Sequence, residues 1–473
     1  MTADTSSTPL GSAPNSTAGR FAGRMGVLSL VCVMYLVVSG GAYGIEDAVK
    51  LAGPRLTMLL CVVVPITLSL PTALMAAELT ALMPVEGGFY YWVKAALGPF
   101  AGFAEIYLTV LYTAVDMAIY PVLFSGYLSF LFPIGHVTQF VLAISLIWIS
   151  GAMNLAGIRP VGFSSIALTV VLLAPFAIFA VVGIPRLVHF AMPPQPLLSP
   201  NFMGALGAGL TVVIWNFGGW ENLSVVAGEV EDPRRNYVRA VAVALPMVAA
   251  GYIIPLAVAV SGATNTSEWS VGWFAHEGYA MGGPILGGWL ALGGGIMALA
   301  VFQAAMLWVS RMPYVLAREG YFPPAVGDLW STTGAPWKAI LLCCFAFTLM
   351  VPLGFVTLVV LDVFFYMAAL ALEMAALVRL RRLFPNRQGL FVIGGGKLGL
   401  AAVAISPLLT WAATFGLALS QGDGHLDFLI AIALGATVWP VYILATRLYG
   451  GPRESSSEII EDDQAAALSV SAD

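Results

Sequence analysis

The stretch "SGGAYGIEDAVK", residues 39–50, decides the fold, because it interrupts a long apolar segment with three glycines and two adjacent acids. A second stretch, "NFGGWEN" at 216–222, interrupts another apolar segment with the same order of residue types. In each, a glycine pair comes before an aromatic residue and an acid. Paired breaks of this kind predict two discontinuous helices that meet at a polar site near the middle of a membrane.

The composition is that of an integral membrane protein. Of the 473 residues, 59% are hydrophobic and only 10% charged, and the mean hydropathy is +0.90, whereas about a quarter of the residues of a soluble domain are charged. The apolar stretches have the length of about 20 residues that crosses a bilayer core as a helix. We predict an all-α protein with twelve transmembrane helices at 26–50, 56–83, 99–131, 137–157, 161–184, 203–228, 239–262, 284–310, 338–356, 358–379, 398–419 and 426–447.

The two breaks lie in the first and sixth of these spans, five spans apart. Because five is odd, two five-span repeats that each begin with a break have inverted topology. The alternative is that the glycines only allow neighbouring helices to pack closely. The acid that follows each break favours a site over simple packing.

The distribution of positive charge predicts the orientation. With cytoplasmic termini, all of the 20 Lys and Arg residues except Lys50, Arg55 and Arg186 lie on the cytoplasmic side, which agrees with the positive-inside rule. The predicted organisation is a disordered cytoplasmic tail at 1–24, a first repeat at 25–184, an inverted repeat at 203–380, two appended spans at 398–448 and an acidic cytoplasmic tail at 451–473.

Acids inside the predicted spans are candidates for function, because an ionised carboxylate at mid-bilayer costs roughly 2.5–3.5 kcal/mol. No Lys or Arg lies deep in the same spans. For Asp47, Glu105 and Glu373, near span ends, the favoured interpretation is a solvated or locally paired side chain. The acids are Glu46, Asp47, Glu78, Glu105, Asp116, Glu221, Asp362 and Glu373.

Asp116 lies in mid-span with Tyr112 and Tyr120 four residues to either side, which places all three on one helix face. A carboxylate between two phenols suits a desolvated ammonium group, which gains an ion pair and a cation–π contact. The alternatives are a protonated Asp116 bonded to a tyrosine, or a proton-coupling group. Of the adjacent pair Glu46 and Asp47, we expect only Glu46 to face the site, since neighbours on a helix point about 100° apart. Several acids around one polar cavity predict a cationic substrate.

The motifs resemble those of the amino acid–polyamine–organocation transporters over nearly the whole chain, and among them the polyamine and L-type amino acid permeases of plants and trypanosomatids. The resemblance rests on "SGGAYGIEDAVKLAGP" at 39–54, "GGFYYW" at 87–92, "DMAIYPVLF" at 116–124, "WNFGGWENLSVVAGEVEDPRR" at 215–235, "SRMPYVLAREGYFPP" at 310–324 and "LEMAALVRLRRLFP" at 372–385.

The resemblance implies a leucine-transporter-type fold of five plus five helices, discontinuous in helices 1 and 6. It also implies proton-driven uptake or exchange of polyamines or amino acids, with Trp220 as an aromatic gate. Some relatives keep a basic coupling residue in span five, but this span has no Lys or Arg here. The candidates for proton coupling are therefore the acids Glu78, Asp116 and Glu221. From the residues and the resemblance together, the expected substrate-binding residues are Gly40, Gly41, Tyr43, Glu46, Tyr112, Asp116, Tyr120, Trp215, Asn216, Gly218, Trp220 and Glu221.

The leading hypothesis is a secondary active transporter of polyamines such as putrescine and spermidine in the cell membrane. The alternatives are an amino acid permease and a non-transporting amine receptor. An enzyme is not expected, since the sequence has no phosphate-binding loop, zinc motif or nucleophile–base set. The expected partners are a small amine or amino acid, protons and membrane lipids, without nucleic acid, cofactor or metal.

Overall fold

The computed structural model describes residues 26–83, 88–156, 165–191, 202–222, 224, 230–262, 265–385, 391–419 and 425–451. These residues fold as a bundle of helices. The helices are α1 Val27–Val38, α2 Glu46–Ala52, α3 Pro54–Val64, α4 Leu70–Leu82, α5 Gly88–Leu97, α6 Pro99–Leu131, α7 His136–Leu155, α8 Ser165–Val182, α9 Ile184–Val188, α10 Phe202–Phe217, α11 Pro233–Gly262, α12 Trp273–Val309, α13 Arg311–Arg318, α14 Trp337–Met350, α15 Phe355–Leu383, α16 Gly396–Leu419, α17 His425–Ala436 and α18 Val438–Tyr449.

Within the described residues, eight continuous helical segments are long and apolar enough to cross a membrane. Four shorter apolar helices, of 10–17 residues, accompany them. The protein is therefore a multi-pass helical membrane protein, and the count of twelve spans stays a prediction. The eight are Pro54–Leu82, Pro99–Leu131, His136–Leu155, Arg235–Ser261, Trp273–Arg318, Phe355–Leu383, Gly396–Leu417 and Phe428–Tyr449, and the four are Val27–Val38, Ile166–Val182, Phe202–Phe217 and Trp337–Leu353.

Both predicted breaks are present. The first predicted span is two helices, α1 and α2, separated by residues 39–45, and helix α10 ends at Phe217, at the second break. Other predicted boundaries were wrong. The seventh span starts earlier, at Pro233, and α12 begins at Trp273 and bends at Gly283 before its apolar part. A short helix, α5, lies between the second and third predicted spans. The predicted tails at 1–24 and 452–473 lie outside the described residues.

Glycine geometry holds the first break open. Gly40 and Gly44 have φ angles of 63° and 85°, which L-residues with a side chain rarely adopt. A Cβ atom on Gly40 would lie 2.5 Å from the Met297 side chain, and one on Gly44 would lie 2.8 Å from the Trp215 ring. The glycines therefore provide the backbone turn and also the space for α12 and α10 to approach the break.

Helices α6 and α15 run antiparallel along the centre of the bundle. They pack against each other, and α12 packs on α6 while α10 packs on α15. Each of the two helices contains an acid, a tyrosine and a second acid in this order. The intervals are 7 and then 4 residues on α6, and 4 and then 7 residues on α15, so the same spacing occurs in opposite directions. The sets are Glu105, Tyr112 and Asp116 on α6, and Asp362, Tyr366 and Glu373 on α15.

Candidate functional site

A cavity lies between the two breaks and the faces of α6, α12 and α15. It has about 630 Å³ of atom-free space including its open mouth. Of the residues predicted for the site, seven line it: Tyr43, Tyr112, Asp116, Tyr120, Trp215, Asn216 and Gly218. Other lining residues were not predicted from the sequence, among them Ser39, Gly219, Asn222, Tyr252, Asp362 and Tyr366.

Asp116 is held by two neutral donors. The Tyr120 hydroxyl donates to Asp116 Oδ2 at 3.1 Å, and the Trp215 indole N–H donates to Oδ1 at 3.0 Å. Trp215 lies on α10, 99 residues away in sequence. Asp116 is thus fixed with both oxygens bonded, as expected of a carboxylate oriented for a ligand.

Asp362 faces the same cavity from α15 and differs from Asp116 in its bonding. It is only 5% exposed, and its Oδ1 atom has no hydrogen-bond partner among the described residues. Asp116 and Asp362 line the same cavity, so both carboxyls belong to one polar region. Asp362 was recognised in the sequence as an intramembrane acid but not as a site residue. Its position four residues before Tyr366 repeats the Asp116–Tyr120 spacing and is the signal that could have found it.

An aromatic pair closes one end of the cavity. The rings of Tyr112 and Tyr366 meet edge to face with centroids 5.7 Å apart. The Tyr112 hydroxyl donates to Asn222 Oδ1 at 3.1 Å, and the Tyr366 hydroxyl accepts from the Gly219 N–H at 3.0 Å. We call Tyr112, Tyr366, Asn222 and Gly219 the cavity floor. The second break thus contributes its backbone to the floor, because the unwound Gly219 amide needs a partner in a medium without water.

The remaining predicted site residues do not line the cavity: Gly40, Gly41, Glu46, Trp220 and Glu221. Trp220, expected as an aromatic gate, is 1% exposed and donates its indole N–H to the Phe217 carbonyl at 3.0 Å. The indole that reaches the cavity is that of Trp215. In this conformation Trp220 fills the core behind the second break.

Glu46 holds the first break together. It accepts hydrogen bonds from the Gly44 N–H at 2.7 Å, the Tyr127 hydroxyl at 2.9 Å and the Gly272 N–H at 3.3 Å. It is fully buried. Its partners come from α6 and the residue before α12, so the carboxylate joins three parts of the chain. The structure therefore favours the backbone-holding role over direct contact with a ligand.

The expectation of a solvated or locally paired side chain was wrong for two acids. Glu105 is fully buried and Glu373 is 3% exposed, and neither is in an ion pair with another described residue. Asp47 is 8% exposed and interacts with Lys50, which agrees with local pairing. Glu78, whose own span contains no Lys or Arg, forms a two-pronged ion pair with Arg381 of α15. Long side chains allow a cation at a helix end to reach a buried acid, and sequence position alone does not show this reach.

Comparisons with known proteins place this geometry in a family. The model of the amino acid permease family matches residues 25–440. The chain is 31% identical to polyamine transporter RMV1 of Arabidopsis thaliana, over 88% of this chain and 85% of that protein, and 30% identical to polyamine transporter PUT1 of rice, Oryza sativa subsp. japonica, over 88% and 77%.

Solved structures of a more distant protein have the same fold. Two crystal structures of the manganese transporter of Eremococcus coleocola align with TM-scores of 0.54 and 0.52 at 16% identity, over 89% of this chain and 94% of that chain. At this identity the likeness concerns the fold alone. The match over most of the sequence, together with the broken helices and the buried carboxyl groups, shows that the chain belongs to the amino acid permease family, within the amino acid–polyamine–organocation superfamily.

Proposed function

We propose that the protein is a secondary active transporter that carries polyamines such as putrescine and spermidine. The observation that carries the proposal is the pair of carboxyl groups, Asp116 and Asp362, on facing walls of one cavity. Among the described residues that line it, none is Lys, Arg or His. A desolvated acidic pair without a cation selects for a ligand that supplies positive charge. The names of the plant relatives support the same substrate class.

The first break argues against an α-amino acid as the substrate. In a site built from broken helices, free backbone N–H groups bind the substrate carboxylate. Here the Gly41 N–H donates to Ser39 Oγ at 3.2 Å and the Gly44 N–H donates to Glu46 at 2.7 Å. The chain supplies its own carboxylate at this place, so an amine without a carboxylate suits the site better.

The aromatic side chains suit the methylene chain and the charge of such an amine. Tyr43, Tyr112, Tyr120, Trp215 and Tyr366 line the cavity around the acids. Ring faces attract ammonium groups, and their apolar area covers the carbon chain. We propose that these groups bind an extended diamine with at least one ammonium at Asp362.

The transport cycle of the proposal is alternating access, driven by protons or by exchange of one amine for another. The two breaks support it, together with the five-plus-five inverted repeat predicted at 25–184 and 203–380, because a central site between two repeats can open to either side in turn. In the proposal the protein lies in the cell membrane with twelve spans and cytoplasmic termini, since positive residues are concentrated on the predicted inner side.

Competition uptake in proteoliposomes tests the substrate class. We expect radiolabelled putrescine to enter, and unlabelled spermidine but not leucine or arginine to compete. The substitution Asp362→Asn removes the unpartnered carboxylate oxygen and is expected to weaken putrescine binding more than tenfold, because a hydrogen bond to a charged group contributes about 1.5–3 kcal/mol.

Asp328→Asn is the matched control. Asp328 is an exposed acid paired with Lys338 far from the cavity, so the variant has the same change of charge. We expect its uptake to equal that of the wild type. Competition by leucine and not by spermidine, or full putrescine affinity in the Asp362→Asn variant, contradicts the proposal.

A further inference from the structure

Three carboxyl groups lie on the far side of the cavity floor. Glu105 lies seven residues before Tyr112 on α6, and Glu373 lies seven residues after Tyr366 on α15. Glu221 is at the second break. Helices α6 and α15 pack against each other, and Glu221 is bonded to Tyr366 of α15, so that the three carboxyls are close enough to influence one another and form one cluster. We call Glu105, Glu221 and Glu373 the acid cluster.

The acid cluster lacks positive charge. Its three side chains are 0%, 2% and 3% exposed for Glu105, Glu221 and Glu373 respectively, and none of them is in an ion pair with another described residue. One oxygen of Glu105 and one of Glu373 have no hydrogen-bond partner among the described residues. The other oxygen of Glu105 accepts from the Thr109 hydroxyl at 3.1 Å. Buried carboxylates without partners are very unfavourable, so these carboxyls need positive charge from a proton or a cation.

The groups shown to face the acid cluster are phenols and a further carboxyl. They are Tyr112 of α6, Tyr237 of α11 and Tyr366 of α15, with Asp362 across the floor. On α5, a helix that packs on both α6 and α15, Lys94 and the Tyr90 hydroxyl both donate to Glu319, at 3.0 and 3.4 Å. The groups that face the cluster are thus neutral or acidic.

The acid cluster is connected to the cavity by a hydrogen bond. The Tyr366 hydroxyl donates to Glu221 Oε2 at 3.1 Å, while the same phenol lines the cavity on the other side. Tyr366 thus contacts both sets of acids. The cavity lining includes Tyr112 and Tyr366 but none of the three glutamates, so of the two cations that the proposed cycle supplies, an ammonium and a proton, the proton suits the buried cluster.

We propose that the acid cluster is the proton-binding site of the transport cycle, an inference that rests on the proposed function. In the described arrangement its carboxyls hold protons and are neutral. Opening of the floor toward the predicted cytoplasmic side admits water, and a carboxyl O–H then gives its proton to that water and becomes a carboxylate. Glu105 and Glu373 therefore join Glu221 as coupling residues, while Glu78, which is paired with Arg381, does not.

The test separates proton coupling from substrate binding in proteoliposomes with putrescine as the probe. Wild type, Glu105→Gln, Glu373→Gln and the double variant are compared in two assays. One is counterflow of labelled putrescine at equal pH on both sides, and the other is accumulation driven by a pH gradient, with an internal pH dye to follow proton movement. We expect the double variant to keep counterflow within about twofold, since a factor of two is under 0.5 kcal/mol of binding free energy, and to lose gradient-driven accumulation and proton movement.

Glu105→Asp and Glu373→Asp keep a titratable carboxyl and are expected to retain at least part of the accumulation, which a purely structural role does not predict. Accumulation and proton movement at wild-type level in the double variant overturn the proposal. A tenfold rise in the counterflow KM for putrescine also overturns it and identifies the cluster as a substrate subsite. Wild-type counterflow without any effect of the pH gradient overturns proton coupling alone, whereas a wild type that transports no putrescine contradicts the proposed function itself.

Discussion

The first break and the inner face of α15 both contain buried acids, but they use them in opposite ways. Glu46 at the first break accepts three hydrogen bonds from the protein. Asp362 and Glu373 on α15 each keep an oxygen without any partner among the described residues. Both regions are shielded from water. The difference shows that burial alone does not distinguish a structural acid from a ligand-binding one, and that a carboxyl oxygen without a protein partner indicates the second kind.

Physical chemistry explains the division. A carboxylate that accepts several hydrogen bonds is stabilised in a dry interior and connects the chain segments that donate them. A buried carboxylate without partners destabilises the fold unless it binds a ligand or a proton. Removal of a bonded acid should therefore damage the fold, and removal of an unpartnered acid should damage transport. The following substitutions test this division.

The largest effect on stability is expected at Arg381. Glu78, its partner, is 1% exposed and also accepts the Ile393 N–H at 2.9 Å. Arg381→Ala leaves Glu78 as a buried charge without its cation, which costs about 3–5 kcal/mol of unfolding free energy. Thermal unfolding in detergent measures the loss. An unchanged unfolding temperature would show that Glu78 is not stabilised by this pair.

Glu46→Ala should have an effect of similar size. It leaves the Tyr127 hydroxyl and the Gly44 and Gly272 N–H groups without their acceptor, and each unsatisfied buried group costs about 1–3 kcal/mol. Glu46→Gln keeps an acceptor oxygen and is the matched control, with a smaller loss expected. Wild-type stability of the alanine variant, together with a lost affinity for putrescine, would instead assign Glu46 to the substrate.

Much of this arrangement could be predicted from the sequence, because glycine pairs and mid-span acids are local signals. Both breaks and the Asp116–Tyr120 pair are where the pattern placed them. The role of Glu46 could not be predicted from neighbouring residues, because its partner Tyr127 lies 81 residues away in the sequence.

The depth of two acids was also missed. Glu105 lies near the start of α6, as predicted, but α5 packs on α6 and the side chain is buried. Glu373 lies six residues before Arg379, near the predicted end of its span, yet α15 continues to Leu383 and the side chain is buried. Packing by neighbouring helices decides such burial, and a single-span pattern does not contain this information.

Tyr366→Phe tests the layer between the cavity and the acid cluster. The variant keeps the ring contact with Tyr112 but removes the hydroxyl that bonds Gly219 and Glu221. Loss of bonds to a buried N–H and a carboxyl corresponds to about 1–3 kcal/mol. We expect proton-driven accumulation to fall more than counterflow, measured on the same proteoliposomes. An equal fall in both would mean that the hydroxyl serves the substrate and not the acid cluster.

The smallest effect is expected from Trp215→Phe. This variant removes one hydrogen bond to Asp116 and so tests, at a single residue, how a bonded acid differs from an unpartnered one. The variant keeps an aromatic ring against Phe355 but removes the indole N–H that donates to Asp116 Oδ1. A neutral hydrogen bond contributes about 1 kcal/mol, so an Asp116 oxygen released from it binds an ammonium more strongly, by up to about fivefold. Putrescine affinity in competition uptake should therefore rise slightly, because the variant makes Asp116 resemble Asp362. A fall in affinity would show instead that the indole contacts the substrate directly, and that Asp116 serves to hold Trp215 in place.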